Sequence, residues 1–224
     1  MKNVVHFFKT HRHAWWGLFV PCYLAVFFTI EHFITDNDWA TQLPIDDYIP
    51  FCKYFILIYD LWAPLLVVLG VYLILRDPEG FRRYIWSLIF TYGVSTLFCI
   101  LVPNGQDLRP PAVEGDDIFA WVVRATYSAD TNTNVFPSVH VVGVLCAIFA
   151  VFRTPGLRKW YWRAGSVVLG IVIIASTLLV KQHAFIDILA GLAVGVAGYV
   201  VIYVIIGSRR DKWIKTGIDE NRTT

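Results

Sequence analysis

Charge is scarce in this sequence. Asp, Glu, Lys and Arg together make up 16% of its 224 residues, against about 25% in an ordinary soluble domain, which argues against a water-soluble globule. Cysteine is also sparse. Cys22, Cys52, Cys99 and Cys146 are scattered with no CxxC pair, so neither a thiolate metal site nor a disulfide framework is indicated. Each lies in or beside an apolar stretch and is expected to be a small buried hydrophobe. No internal repeat, low-complexity tract or dividing linker is visible, so a single domain over residues 1–224 is expected. The formal net charge of +2 gives no footing for a nucleic-acid partner, because the placement of charge matters more than its sum.

What the chain has instead is hydrocarbon. Hydrophobic residues reach 57% and mean hydropathy is +0.56. Nine Trp and eleven Tyr suit a protein with many membrane–water boundaries, where amphipathic rings settle. A helix needs about 20 mostly apolar residues to cross a bilayer. Six stretches qualify or nearly so: Ala14–Ile34, Phe55–Leu75, Tyr84–Pro103, Val135–Phe152, Ala164–Val180 and Ala184–Gly207. The first is too long, and lacks the small-residue site, for a cleaved signal peptide. The expectation is an all-α, six-span, multi-pass protein of the cell membrane whose partner is the bilayer.

Lys and Arg set the direction. Fifteen of the nineteen fall on one side: Lys2, Lys9 and Arg12, then Arg76, Arg82 and Arg83, then Arg153 to Arg163, then Arg209 to Arg222. Both termini are therefore expected in the cytoplasm. The opposite side keeps only Lys53, Arg109, Arg124 and Lys181, among acidic runs at Asp36–Asp38, Asp46–Asp47 and Asp116–Asp117. Its one long loop, Asn104–Asn134, contains Asp117–Tyr127. That segment reads either as an amphipathic helix lying in the interface or as a plain surface helix.

Three polar clusters meet this outer face at one depth although they are far apart in sequence. PNGQDLRPP follows span three and holds Arg109. NVFPSVH, residues 134–140, opens span four. STLLVKQHAFID, residues 176–187, joins spans five and six. Their chemistry suits a phosphate. His183 and Asp187 are four apart and would share a helix face; a carboxylate on one ring nitrogen leaves the other as nucleophile or base. Pro137 suits a first helical position, and the free amides there, with the Ser138 hydroxyl, make an anion site beside His140. Arg109 and Lys181 supply the positive charge that phosphoryl transfer needs. On a continuous helix Lys181 would stand one turn from Thr177 on the same face.

The wording of these clusters resembles the type 2 phosphatidic acid phosphatase (PAP2) superfamily over residues 103–190. FPSVH is similar to its second motif, LRP to the end of its first, and Ser176 through His183 to Asp187 to its third. KQHxxxD with FPSxH looks most like the branch of inositol phosphorylceramide synthase. Three departures stand out: Val102 at a usual Lys, Val139 at a usual Gly and Thr177 at a usual Arg. The resemblance implies that His183 is the nucleophile that becomes phosphohistidine, that Asp187 orients it, and that His140 protonates the leaving oxygen. Arg109 and Ser138 would hold the phosphate, with Lys181 standing in for the missing Arg.

His6, His11, His13 and His32 are set aside as lone interfacial residues. Asp60, inside span two beside Pro64, is by default a functional candidate, but it equally well simply reaches the interface. Metal ligation by His140, His183 and Asp187 is disfavoured by the two cations beside them, so neither metal nor other cofactor is expected. The expected function is hydrolysis of a lipid phosphate on the outer leaflet: a polyprenyl diphosphate, phosphatidic acid or phosphatidylglycerophosphate. The rival is transfer of a phospho-headgroup to a lipid alcohol. An anion transporter would need its charges near the midplane instead.

Overall fold

The computed structural model describes residues 9–35 and 38–207. Lys2, His6, Asp36 and the basic residues from Arg209 to Arg222 lie outside the described residues. A 3-10 segment, Arg12–Leu18, runs into α1 (Phe19–Phe33). A 3-10 turn at Lys53–Phe55, α2 (Ile56–Asp60) and α3 (Trp62–Arg76) make a second rod. There follow α4 (Pro78–Leu101), α5 (Ile118–Ala129), α6 (Val139–Arg153), α7 (Trp160–Leu179) and α8 (Phe185–Tyr199), the last continued by a π-helical Val200–Ile206. The protein is an all-α membrane bundle.

Five of the six expected spans are helices long and apolar enough to cross a membrane: Arg12–Phe33, Lys53–Arg76, Pro78–Leu101, Trp160–Leu179 and Phe185–Ile206. The sixth, α6, has only 15 residues, about 22 Å at 1.5 Å per residue, against a hydrocarbon core of about 30 Å. It begins four residues later than the apolar run. Residues up to Pro137 form a loop with a cis Phe136–Pro137 bond, and Ser138 caps the helix, its hydroxyl accepting from the Val141 amide at 3.4 Å. Pro137 thus precedes the cap and does not occupy the first helical position. Being short matters little to α6, because α3, α4, α7 and α8 all pack on it.

The outer faces stay apolar: Val67, Val68, Val71, Leu97, Val168 and Ile171 are exposed, as lipid-facing side chains should be. The interior holds Leu73, Phe81, Tyr84, Ile85, Leu88 and Val142. Cys99 and Cys146 are buried as expected, whereas Cys22 is exposed and Cys52 half-buried; all four are free thiols. Glycine lets α8 lie close on α6: a Cβ at Gly191 would stand 2.9 Å from Val141 Cβ and 3.0 Å from the Ser138 carbonyl. Small residues at such crossings are how membrane helices approach.

At one end of the bundle the loops are knitted together. β1 (Trp39–Ala40) runs parallel to β2 (Asn104–Gly105), and Gly105 also bridges Thr133. The Asn104 side chain accepts from the Phe136 amide and donates to the Val102 carbonyl. Helix α5 is capped by Asp117, whose carboxylate accepts from the Phe119 and Ala120 amides. Its Val123 is buried with Ile56, Tyr59 and Val180, while Ile118 and Trp121 are exposed. It roofs α2 and is anchored through its apolar face.

Candidate active site

Helix α7 ends at Leu179, so the continuous helix expected through Lys181 does not exist. Lys181 takes a left-handed conformation, φ 54°. The Gln182 amide donates to the Thr177 carbonyl at 2.9 Å and the Lys181 amide to that of Leu178 at 3.1 Å. This is a Schellman-type stop, made here with lysine where glycine usually sits. The Ser176 and Thr177 hydroxyls donate to carbonyls of their own helix, Ile173 and Ile174. The reversal delivers His183 into the loop just before α8, with Asp187 in that helix's first turn.

His183 and Asp187 still meet, although only Asp187 is helical. His183 Nδ1 lies 3.3 Å from Asp187 Oδ2, which also accepts from the Ala184 amide at 2.8 Å. A carboxylate can only accept, so Nδ1 carries the proton and Nε2 is left with its lone pair. Facing that lone pair, 3.0 Å away, is His140 Nδ1, which is then the donor. Asp187 Oδ1 is buried and unpaired among the described residues. The His140 ring packs against two aromatic rings, with Tyr59 at 4.6 Å and Trp62 at 4.5 Å between centroids. The Ser138 amide donates to the Asp187 carbonyl at 3.2 Å, tying the start of α6 to the start of α8.

Arg109 comes to the same place through Gln182. Its guanidinium donates to Gln182 Oε1, to the Asp130 and Thr131 carbonyls at 2.7 Å each, and to that of Tyr127 at 3.2 Å. It also lies 4.2 Å over the Tyr127 ring, and its Nε is buried without a hydrogen-bond partner among the described residues. Burial pushes the Arg109 guanidinium below its ordinary value, with Asp130 and then Tyr127 pulling back. Asp130 accepts from the Tyr59 hydroxyl at 2.7 Å and from Gln182 Nε2 at 3.3 Å. Burial pushes its carboxyl up, opposed by the Tyr59 hydrogen bond and then by His183 and Arg109.

Lys181 is placed differently. Its ammonium donates to the Asp46 carbonyl at 2.8 Å, and burial lowers it from the usual lysine value, with Asp46 and Asp47 acting the other way. The structure joins His140, His183 and Asp187 directly and Arg109 through Gln182. It sets Ser138 at the helix cap and turns Lys181 toward Asp46.

Three supports escaped the sequence reading. Asp46 is buried, with Oδ1 accepting from the Phe185 amide at 2.8 Å and Oδ2 from that of Leu43. It caps α8 from a distant loop. Glu31 on α1 accepts from the Thr131 amide at 3.1 Å, from the Thr131 hydroxyl and from Asn134 Nδ2 at 3.2 Å, steadying the loop whose carbonyls hold Arg109. Gln182 couples Arg109 to Asp130. The one signal available was that Glu31 is a carboxylate inside an apolar helix, a position that is functional by default.

A membrane bundle whose motif loops converge on a His–His–Asp chain beside a half-buried arginine is an enzyme scaffold for phosphate esters. The model of the PAP2 superfamily matches residues 80–211, more than half of the chain, and the protein belongs to that superfamily. Membership brings phosphatase or phosphotransferase-type activity on phosphate esters. Comparison with curated proteins and with solved structures gave no match. Glu31, Asp46 and Tyr59 lie ahead of the matched segment, so part of the site's support comes from outside it.

Proposed function

We propose that the protein is a metal-independent phosphatase of lipid phosphates that works at the outer membrane surface, in the region of the superfamily nearest inositol phosphorylceramide synthase. The observation that carries this is the direction of the histidine chain. Asp187 fixes the proton on His183 Nδ1, leaving Nε2 to attack phosphorus. A phosphate entering between His183 and His140 replaces the contact between them. As the N–P bond forms, the bond from phosphorus to the lipid oxygen breaks, and that oxygen takes a proton from a protonated His140. Water then attacks the phosphohistidine while His140 accepts its proton, which returns His183 and frees inorganic phosphate.

Arg109 supports this role as a planar donor already held in a fixed orientation, the arrangement that stabilises developing charge without reorganisation. The outward placement rests on the bias of basic residues described above. The test is release of inorganic phosphate from a panel of detergent-solubilised lipid phosphates with no second substrate present. Release from at least one lipid, lost in His183→Ala, is the expected result. Phosphate transfer only upon addition of a lipid alcohol would overturn hydrolysis.

A further inference from the structure

The proposed chemistry leaves one singled-out residue without a task. Asp60, exposed at the end of α2, makes no hydrogen bond or ion pair with any described residue. It lines a cavity of about 270 Å³ between α1 and the α2–α3 rod that ends on His140. The wall is aromatic: Tyr23, Phe27, Phe28, Tyr59 and Trp62 all face it. Its titratable groups besides tyrosine are the carboxylates of Asp60 and Asp130 and, at the inner end, the His140 ring; among the described residues no Lys or Arg lines it. Asp130 is engaged by Tyr59 and Gln182; Asp60 is not.

A carboxylate at the edge of hydrocarbon is costly until a counter-charge meets it. Aromatic faces attract ammonium groups and hold them best when water is excluded. A cavity walled by five rings and carrying a free carboxylate, with His140 at its inner end and no Lys or Arg among the described residues that line it, is complementary to an ammonium at its Asp60 end. Tyr59 and Trp62 line this wall and also pack against the His140 ring, so a group bound here sits next to the phosphate position.

We propose that the cavity binds an ammonium group of the substrate, with Asp60 as its counter-ion. The lipid is then a long-chain amphiphile with an amine a few bonds from its phosphate. This rests on the reading of the histidine site as the place of phosphate cleavage, and it narrows that reading from any lipid phosphate to an amino-lipid phosphate.

The experiment compares kcat/KM for a long-chain 2-aminoalkyl phosphate with that for the alkyl phosphate of equal length lacking the amine. The purified full chain should prefer the amine by about tenfold, the scale of one partly desolvated ion pair. Acetylating the amine, which removes its charge, should abolish the preference in the unmodified protein. Asp60→Asn should bring the ratio to within about twofold, and Asp60→Glu should keep most of it. Equal kcat/KM for the three lipids, or a preference retained in Asp60→Asn, overturns the inference. Hydrolysis of none of them by the unmodified protein would instead refute the phosphatase reading beneath it.

Discussion

Replacing Gly191 by alanine should separate the two helices that carry the histidines. The added Cβ would lie 2.9 Å from Val141 Cβ, 3.2 Å from Val141 Cγ1 and 3.0 Å from the Ser138 carbonyl oxygen. Comfortable carbon contacts are about 3.5–4.0 Å, so α6 and α8 must part by roughly 0.5–1 Å. Neither neighbour can swing aside: one is backbone, the other a β-branched side chain held by its rotamer. The same movement stretches the bond from the Ser138 amide to the Asp187 carbonyl and opens the 3.0 Å contact of His140 with His183. Misplacement of reacting groups by about 1 Å costs on the order of 100-fold in rate. Overpacking costs about 1–3 kcal/mol of stability, offset by up to about 1 kcal/mol from alanine's better helix propensity. The assay is kcat/KM for phosphate release together with thermal unfolding in detergent. Gly165→Ala, inside α7 where a Cβ meets nothing within 4 Å, is the control: activity should not change, and stability should rise by up to about 1 kcal/mol from helix propensity alone. A Gly191→Ala protein with activity within about twofold of normal would show that the α6–α8 crossing does not set the histidine spacing.

Asp46→Ala removes the distant cap of α8 and should lower stability by about 1–2 kcal/mol, with kcat falling more than KM changes; an unaltered kcat would show that the cap does not position His183. Activity should survive a strong chelator and be inhibited by vanadate, a mimic of the transferring phosphoryl group, because Arg109 supplies charge that a metal would otherwise bring. Loss on chelation, restored by zinc or magnesium, would contradict that. A cysteine placed at exposed Ala112 should react with an impermeant thiol reagent in intact cells; reaction only after the membrane is opened would move the site to the cytoplasm.

The architecture was legible because each long rod is one apolar run, and runs of that length have few other uses. The boundaries were less so at α6, where an apolar run continues through Val135 and Phe136 although proline and a serine cap delay the helix to Val139. The histidines and Asp187 were legible from motif wording, since their chemistry depends on side-chain type. The break after Leu179 was not, because the left-handed stop is made by Lys181 and not by glycine. Nor were Glu31 and Asp46. Their partners lie 100 and 139 residues away, and only the folded chain brings them together. The helix assumed through Lys181 was the one element whose failure changed the chemistry, by turning its ammonium toward Asp46.

The most direct test of the central claim is to quench the enzyme with radiolabelled lipid phosphate and look for label on the protein. The account predicts an acid-labile, alkali-stable phosphoenzyme, as expected for phosphohistidine, that is absent in His183→Ala. In His140→Ala, leaving-group departure should slow by about 10²–10⁴-fold, with a substrate bearing a good leaving group partly spared. Label that still accumulates in the His183→Ala protein, or that proves acid-stable, would contradict the assignment of His183 as the nucleophile.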